Sequence, residues 1–70
     1  MPLILAEVNE EVIVKEIELE HSIRKHLENL GLIVGASIKV LTKLAGNVIV
    51  GIKNTRVAIG KDVAEKIIVQ

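Results

Sequence analysis

The sequence contains no aromatic residue, no cysteine and only one proline among its 70 residues. Without Phe, Tyr and Trp it lacks the stacking platforms of single-strand nucleic-acid binders and the aromatic walls of proline-peptide grooves. Without cysteine it has neither disulfides nor thiolate metal ligands, which suits a reducing compartment. The longest apolar run, Leu3–Ala6, is far shorter than the roughly 18 residues of a membrane span. We therefore expect a soluble protein without direct membrane insertion.

The sequence also has no net charge, because nine basic residues balance nine acidic ones. The two signs are separated along the chain. Residues 1–20 carry six glutamates against one lysine, net −5, and residues 21–70 carry eight bases against three acids, net +5. Because no net positive charge marks a nucleic-acid footprint, no nucleic-acid partner is predicted. A chain of this length has room for one core, so residues 1–70 are predicted to form a single domain.

What the sequence does contain is alternating aliphatic segments separated by turn residues, which predicts short strands. Glu11–Ile17 is the first, with Val12 and Val14 on one face and Ile13 and Ile17 on the other. The remaining strands are predicted at 37–44, 48–53, 56–59 and 67–69. Turn signals lie at 45–47 and 54–55. Five short strands without long helices favour a small closed or nearly closed barrel.

One helix interrupts this pattern, at Ser22–Leu30. Its apolar residues Ile23, Leu27 and Leu30 have helical spacing and are predicted to form a buried stripe, and Ser22 is predicted to cap it. Gly31 is predicted to end the helix in a left-handed conformation, with Leu32 folding back onto it. Gly35 is predicted to form a second turn.

A second helical turn is predicted shortly before the last strand. Asp62 and Glu65 are spaced as a capping box, with Asp62 as the N-cap of that turn.

No catalytic motif and no cofactor site is predicted. The hydroxyl of Ser22 and the ring of His26 are four residues apart, but no third group completes a nucleophilic triad. Gly31 and Gly35 lack the spacing and the following Lys-Ser/Thr of a phosphate loop. Glu18, Glu20 and His21 are the candidate ligands of an iron or zinc site. Exposed histidines without a ligand role are the alternative.

Half of the residues are hydrophobic, which exceeds what so small a core can hide. Part of this surplus is expected on the surface as a contact patch. Ordinary scattered surface apolarity is the alternative. The candidates are Leu3, Leu5, Leu19, Ile33, Leu44 and Ile49.

Three segments in this order resemble the FeoA family, ferrous iron transport protein A. They are Leu27-Glu28-Asn29-Leu30-Gly31-Leu32 followed by Gly35 and Ile38, then Gly46-Asn47-Val48-Ile49-Val50, then Val57–Val69. The resemblance covers nearly the whole chain. It departs at Val34, where the family often has Pro, and at Asn9 and Asn54, where Gly is usual.

The resemblance implies an SH3-like β-barrel with one helix between strands 1 and 2 and a short helical turn before the last strand. It further implies a cytoplasmic accessory protein, not an enzyme, that contacts the cytosolic part of FeoB, the membrane ferrous iron transporter. The resemblance also implies that this cytosolic part bears a GTP-binding domain. The helix, its exit and one turn are the expected contact surface. Its residues are Arg24, Leu27, Glu28, Leu32, Val34, Ala45, Gly46 and Asn47.

Two other functions stay open from the sequence. A similar barrel forms the C-terminal domain of iron-dependent transcriptional repressors, of which this chain would be a detached regulatory domain. A small metal-sensing domain using Glu18, Glu20 and His21 is the third reading. Self-association is also left open, through an exposed edge at Ile67–Val69.

Overall fold

The computed structural model describes all 70 residues. It contains five strands, two α-helices and one 3-10 helix. In chain order these are the 3-10 helix Leu3–Leu5, β1 Glu11–Ile17, α1 His21–Asn29, β2 Ser37–Leu44, β3 Asn47–Ile52, β4 Thr55–Ile59, α2 Lys61–Ala64 and β5 Ile67–Val69. The five predicted strands and both helical segments are confirmed, with boundaries that differ by no more than a residue or two.

All strand pairs are antiparallel, in the order β4-β3-β2-β1-β5. The sheet curls into the predicted SH3-like barrel but does not close, because β4 and β5 are joined through α2 and do not pair. Two-residue loops connect β2 to β3 and β3 to β4. In the first of these, Ala45 and Gly46 both have positive φ, which is the geometry of a tight type I′ hairpin.

The outer edge of β5 is not free, in contrast to the sequence-based expectation. The backbone N–H of Val69 donates to the carbonyl of Met1 over 2.7 Å, and the Met1 amino group donates back to the Val69 carbonyl over 2.8 Å. Pro2 forms a further bridge with Ile68. The first residues of the chain therefore cover the edge that Ile67–Val69 would otherwise offer to a second copy.

The core consists of 17 buried residues, all of them apolar, and most lie on alternating strand positions. Strand β1 departs from strict alternation, since its pairing with β5 shifts between Val14 and Glu16. This bulge turns Ile17 to the same buried side as Val12 and Val14, so its predicted placement on the opposite face with Ile13 is wrong.

Strand β2 contains a similar irregularity between Val40 and Thr42. The extra residue shifts the alternation, so that Lys43 lies opposite the fully buried Val48 and Leu44 falls on the exposed side with Thr42. Leu44 is therefore exposed, although it was predicted in step with Ile38 and Val40. Of the expected surface surplus, Leu5, Ile33 and Leu44 are exposed, whereas Leu3 is fully buried.

Helix α1 is attached to the barrel mainly through its C-terminal end. Of the predicted stripe only Leu27 is buried, while Ile23 and Leu30 are more than a third exposed. The predicted caps are also wrong: Glu20 precedes α1, with Ser22 inside it, and Gly60 precedes α2, with Asp62 in its first turn. Part of the apolar stripe of α1 is therefore uncovered.

Candidate functional site

The exit of helix α1 carries an apolar surface that the core leaves uncovered. We define the helix-exit surface as Leu30, Ile33 and Val34, whose side chains are 38%, 48% and 61% exposed. Ile33 and Val34 line a groove of about 630 Å³ that reaches from Glu28 to the end of β3. Ile23 lies seven residues, or about two helical turns, before Leu30 and extends the apolar stripe along α1.

The local sequence builds this surface through two successive turns. In the first, the N–H of Gly31 donates to the Glu28 carbonyl over 2.9 Å and the N–H of Leu32 donates to the Leu27 carbonyl over 3.0 Å. These two bonds form a Schellman motif, and Gly31 has the left-handed φ of +98° that the motif requires. The motif turns Leu32 into the core and directs the neighbouring side chains outward.

The second turn spans Ile33–Ala36 and presents Val34 at its corner. The N–H of Ala36 donates to the Ile33 carbonyl over 3.0 Å, and Gly35 has a φ of +94°. A positive φ at the third residue is typical of a type II turn, in which proline is common at the second residue. Val34 occupies that second position. Its apolar side chain is thereby held out in solvent.

The structure brings together only part of the surface predicted from the sequence. Arg24, Glu28 and Val34 are exposed on or next to α1. Leu27 and Leu32 are buried in the core, so their assignment to a contact surface is wrong. Both are apolar residues of the same Schellman motif, and the motif turns them inward.

The hairpin tip at Ala45, Gly46 and Asn47 is exposed but lies at the opposite end of β3 from the helix exit. Five residue steps separate Asn47 from Ile52, which lines the groove. At about 3.4 Å per residue the two parts are roughly 17 Å apart. The predicted surface is therefore two separate patches.

Sequence reasoning missed Leu30 as a surface residue, because helical spacing alone assigned it to the buried stripe. It included Ile33 among surplus apolar residues but not in the contact surface. The Schellman motif is a signal for Ile33, because it buries Leu32, the second residue after the C-cap, and directs the next residue outward. Leu30 is the C-cap residue itself and carries no such signal.

The candidate metal ligands Glu18, Glu20 and His21 are all exposed. Glu20 accepts a hydrogen bond from the Ser22 hydroxyl over 3.0 Å. Nowhere in the chain do three His, Cys, Asp or Glu side chains come close enough together to hold a metal ion. These three residues thus lie near one another in sequence without forming a ligand set.

Glu18 instead pairs with another carboxyl group. A hydrogen bond with Glu18, together with the negative charge of that residue, raises the pKa of Glu16 above its ordinary value of 4.5. Like charges in adjacent carboxylates favour a shared proton. Because the pair is fully exposed, this is a local effect on titration.

The pair leads to a prediction for Glu18→Gln. In this variant the pKa of Glu16 is expected to fall, since the repelling charge is removed, as measured by the carboxyl ¹³C shift during acid titration. Because the pKa of Glu16 is raised in the folded wild-type protein, repulsion between the two carboxylates develops as the pH rises through that pKa. Above it, Glu18→Gln is expected to be more stable relative to the wild type than below it. Glu28→Gln, on α1, is the matched control. A Glu16 titration unchanged by Glu18→Gln would contradict the pairing.

None of the helices combines the length and the apolarity that crossing a bilayer requires.

Comparison with known proteins supports one family over the whole chain. The model of the FeoA domain matches residues 1–70. A protein of Methanocaldococcus jannaschii named "Putative Fe(2+) transport protein A" is 38% identical over 69 residues, which are 99% of this chain and 84% of that protein. Both matches extend through the helix exit and the hairpin tip.

Solved structures agree with this assignment. The crystal structure of an iron uptake regulatory protein (FeoA) is 35% identical, with a TM-score of 0.87, over 99% of this chain and 92% of that one. The solution structure of the FeoA protein from Chlorobium tepidum is 26% identical, with a TM-score of 0.93, over 100% of this chain and 69% of that one.

A manganese-dependent transcriptional repressor shares the fold alone, at 20% identity and a TM-score of 0.85, over 96% of this chain and 39% of that one. The family model, the 38% identical relative and these two FeoA structures each match at least 99% of this chain. The chain belongs to the FeoA family, a family of ferrous iron transport proteins.

Proposed function

We propose that this chain is a small cytoplasmic accessory protein of ferrous iron uptake that acts by contact with the cytosolic part of a FeoB-type transporter. The observation that carries this proposal is the helix-exit surface, where Leu30, Ile33 and Val34 remain exposed in a chain of 70 residues. Aliphatic side chains clustered beside a groove are a feature of protein contact sites. Membership of the FeoA family supports ferrous iron transport as the process that this proposed contact serves.

We propose a binding role and no catalytic one. The groove beside the helix exit contains no histidine and a single carboxylate, Glu28. Acid–base or nucleophilic chemistry needs at least two cooperating groups within hydrogen-bond reach, and the groove does not offer them. A contact that changes the transporter's nucleotide hydrolysis, its assembly or both needs only a shaped surface.

The hairpin tip at Ala45, Gly46 and Asn47 is kept as a second, separate part of the proposed contact. A globular GTP-binding domain is wide enough to span the roughly 17 Å between the two patches. Arg24 and Glu28 lie next to the apolar residues on α1, where exposed charges form the polar rim expected of an interface. Their substitution is expected to change the association rate more than the final affinity.

Isothermal titration into the isolated cytosolic domain of the co-encoded transporter, with and without a GTP analogue, tests the proposal. We expect saturable binding that Val34→Asp weakens at least tenfold, because a charge buried in an apolar contact costs more than about 1.4 kcal/mol. A dependence on the nucleotide would identify the chain as a reader of the transporter's switch state.

Leu5→Asp is the matched control, since Leu5 is apolar and 63% exposed but lies on the 3-10 helix, away from the groove. We expect this variant to bind like the wild type. Equal weakening by both substitutions would contradict a specific helix-exit contact. Absence of binding by the folded wild-type protein would contradict the proposed partner domain.

A further inference from the structure

The two outer edges of the sheet differ in whether another segment of the chain pairs with them. The outer edge of β5 is closed by hydrogen bonds with Met1 and by the Pro2 bridge. Strand β4, at the other end of the strand order, pairs with β3 alone. An open edge can accept a further strand, and proteins usually protect such edges.

The hairpin register identifies the backbone groups that are free. Ile52 and Thr55 flank a two-residue loop, so this pair is hydrogen-bonded, and the bonded pairs recur at Val57 and Ile59. Arg56 and Ala58 therefore direct their N–H and C=O groups away from β3. Both residues are exposed, and neither makes a backbone hydrogen bond outside the sheet.

The exposed face next to this edge is positively charged. Lys39, Gly51 and Arg56 are directly opposite one another on β2, β3 and β4, so two cations flank a position without a side chain. Lys53 joins them at the rim of a shallow depression of about 620 Å³. Glu11, on the far side of Lys39, is its one acidic residue.

The centre of this face is aliphatic. Leu41 lies across Gly51, since a Cβ placed on that glycine would be 3.4 Å from its Cδ1 atom. Together, Leu41 and the ring of cations formed by Lys39, Lys53 and Arg56 match a partner that is both extended and acidic. A cationic strand would meet like charge at Arg56, which costs free energy in a cross-strand pair.

We propose that β4 binds an extended acidic segment of another polypeptide by strand addition. The segment's backbone pairs with the free groups of Arg56 and Ala58, and every second side chain, a carboxylate, lies on the same face as Arg56 and Lys53. This surface adjoins the groove beside the helix exit, since Ser37 and Lys53 line both depressions. It includes none of Leu30, Ile33 and Val34, and the proposed strand addition does not depend on the transporter contact. Main-chain bonds supply the affinity, and the cations select an acidic sequence.

Amide chemical shifts of the ¹⁵N-labelled protein test the proposal with two blocked peptides, Glu-Val-Glu-Val-Glu and Lys-Val-Lys-Val-Lys. We expect the acidic peptide to shift the amides of Arg56 and Ala58 in a saturable manner and the basic peptide to leave them unchanged. Arg56→Glu is expected to weaken binding of the acidic peptide on the order of tenfold, through loss of one ion pair and gain of repulsion.

Ala58→Pro removes a backbone N–H that makes no hydrogen bond to β3. The fold is therefore expected to persist while peptide binding is lost. If that variant fails to fold, Arg56→Glu still decides the outcome. Equal shifts with both peptides, or none with either, would overturn the proposal. Shifts of these amides that depend on protein concentration alone would also overturn it, because they would assign the edge to a second copy of the chain.

Discussion

Replacing Gly31 with alanine is expected to lower the free energy of unfolding by about 3 kcal/mol. Part of the loss is backbone strain, since Gly31 has a φ of +98° and a left-handed conformation costs other residues roughly 1–2 kcal/mol. The remainder is overpacking. A Cβ at this position would lie 3.0 Å from Cγ2 of Ile52, a buried side chain that cannot move freely. Urea unfolding measures the loss.

Gly35→Ala is the matched control for this prediction. Gly35 has a similar φ of +94°, but a Cβ there would meet no atom within 4 Å. The control is expected to lose only the strain contribution, about 1–2 kcal/mol. Equal losses in the two variants would show that the approach of Gly31 to Ile52 has no energetic weight and would contradict the packing described here.

Replacing Leu32 with alanine is expected to cost about 2–5 kcal/mol, as is usual for a fully buried leucine. A domain of this size has a total stability of roughly 5 kcal/mol, so a large fraction of the variant is expected to be unfolded. The side chain is the hydrophobic contact that fixes the end of α1 against the barrel. Thermal unfolding followed by circular dichroism is the measurement.

Ile33→Ala serves as the control for Leu32→Ala, because it removes an aliphatic side chain from the adjacent position, which is about half exposed. We expect a loss below about 1 kcal/mol, within the range of ordinary surface substitutions. The opposite ranking would mean that Ile33 faces the core and Leu32 the solvent. That result would remove the basis of the helix-exit surface.

Both predictions concern the segment on which the proposed function rests. Gly31 and Leu32 set the direction in which the chain leaves α1, and thereby hold Ile33 and Val34 out in solvent. Ile33→Ala is expected to leave the fold intact and to weaken partner binding, whereas Leu32→Ala acts on both through the fold. The pair separates a residue that makes the contact from one that positions it.

The strands were predictable from the sequence because alternation has a period of two, and it holds in β3, in β4 and in β2 as far as Val40. In β1 the predicted face of Ile17 was wrong, because a bulge inserts one residue into the strand and has no sequence signal of its own. Helix caps were misassigned because Ser22 and Asp62 are favourable cap residues, yet Glu20 and Gly60 take those positions without a side-chain cap.

The location of the candidate site was predictable from the sequence, but only some of its residues were. Gly31 and Gly35 identified the two turns correctly. Helical spacing does not show how deeply a short helix lies against a barrel, so it could not tell the buried Leu27 from the exposed Leu30. The distance between the helix exit and the hairpin tip depends on which end of β3 each one meets, and this follows only from the strand pairing.

The most direct test of the proposed function is a footprint on the ¹⁵N-labelled chain, titrated with the unlabelled cytosolic domain of the co-encoded FeoB-type transporter. We expect amide shifts and line broadening at Leu30, Ile33 and Val34, and none in the 3-10 helix around Leu5. A footprint confined to other surfaces, or unchanged spectra at saturating domain concentration, would contradict the claim that this protein works through its helix-exit surface.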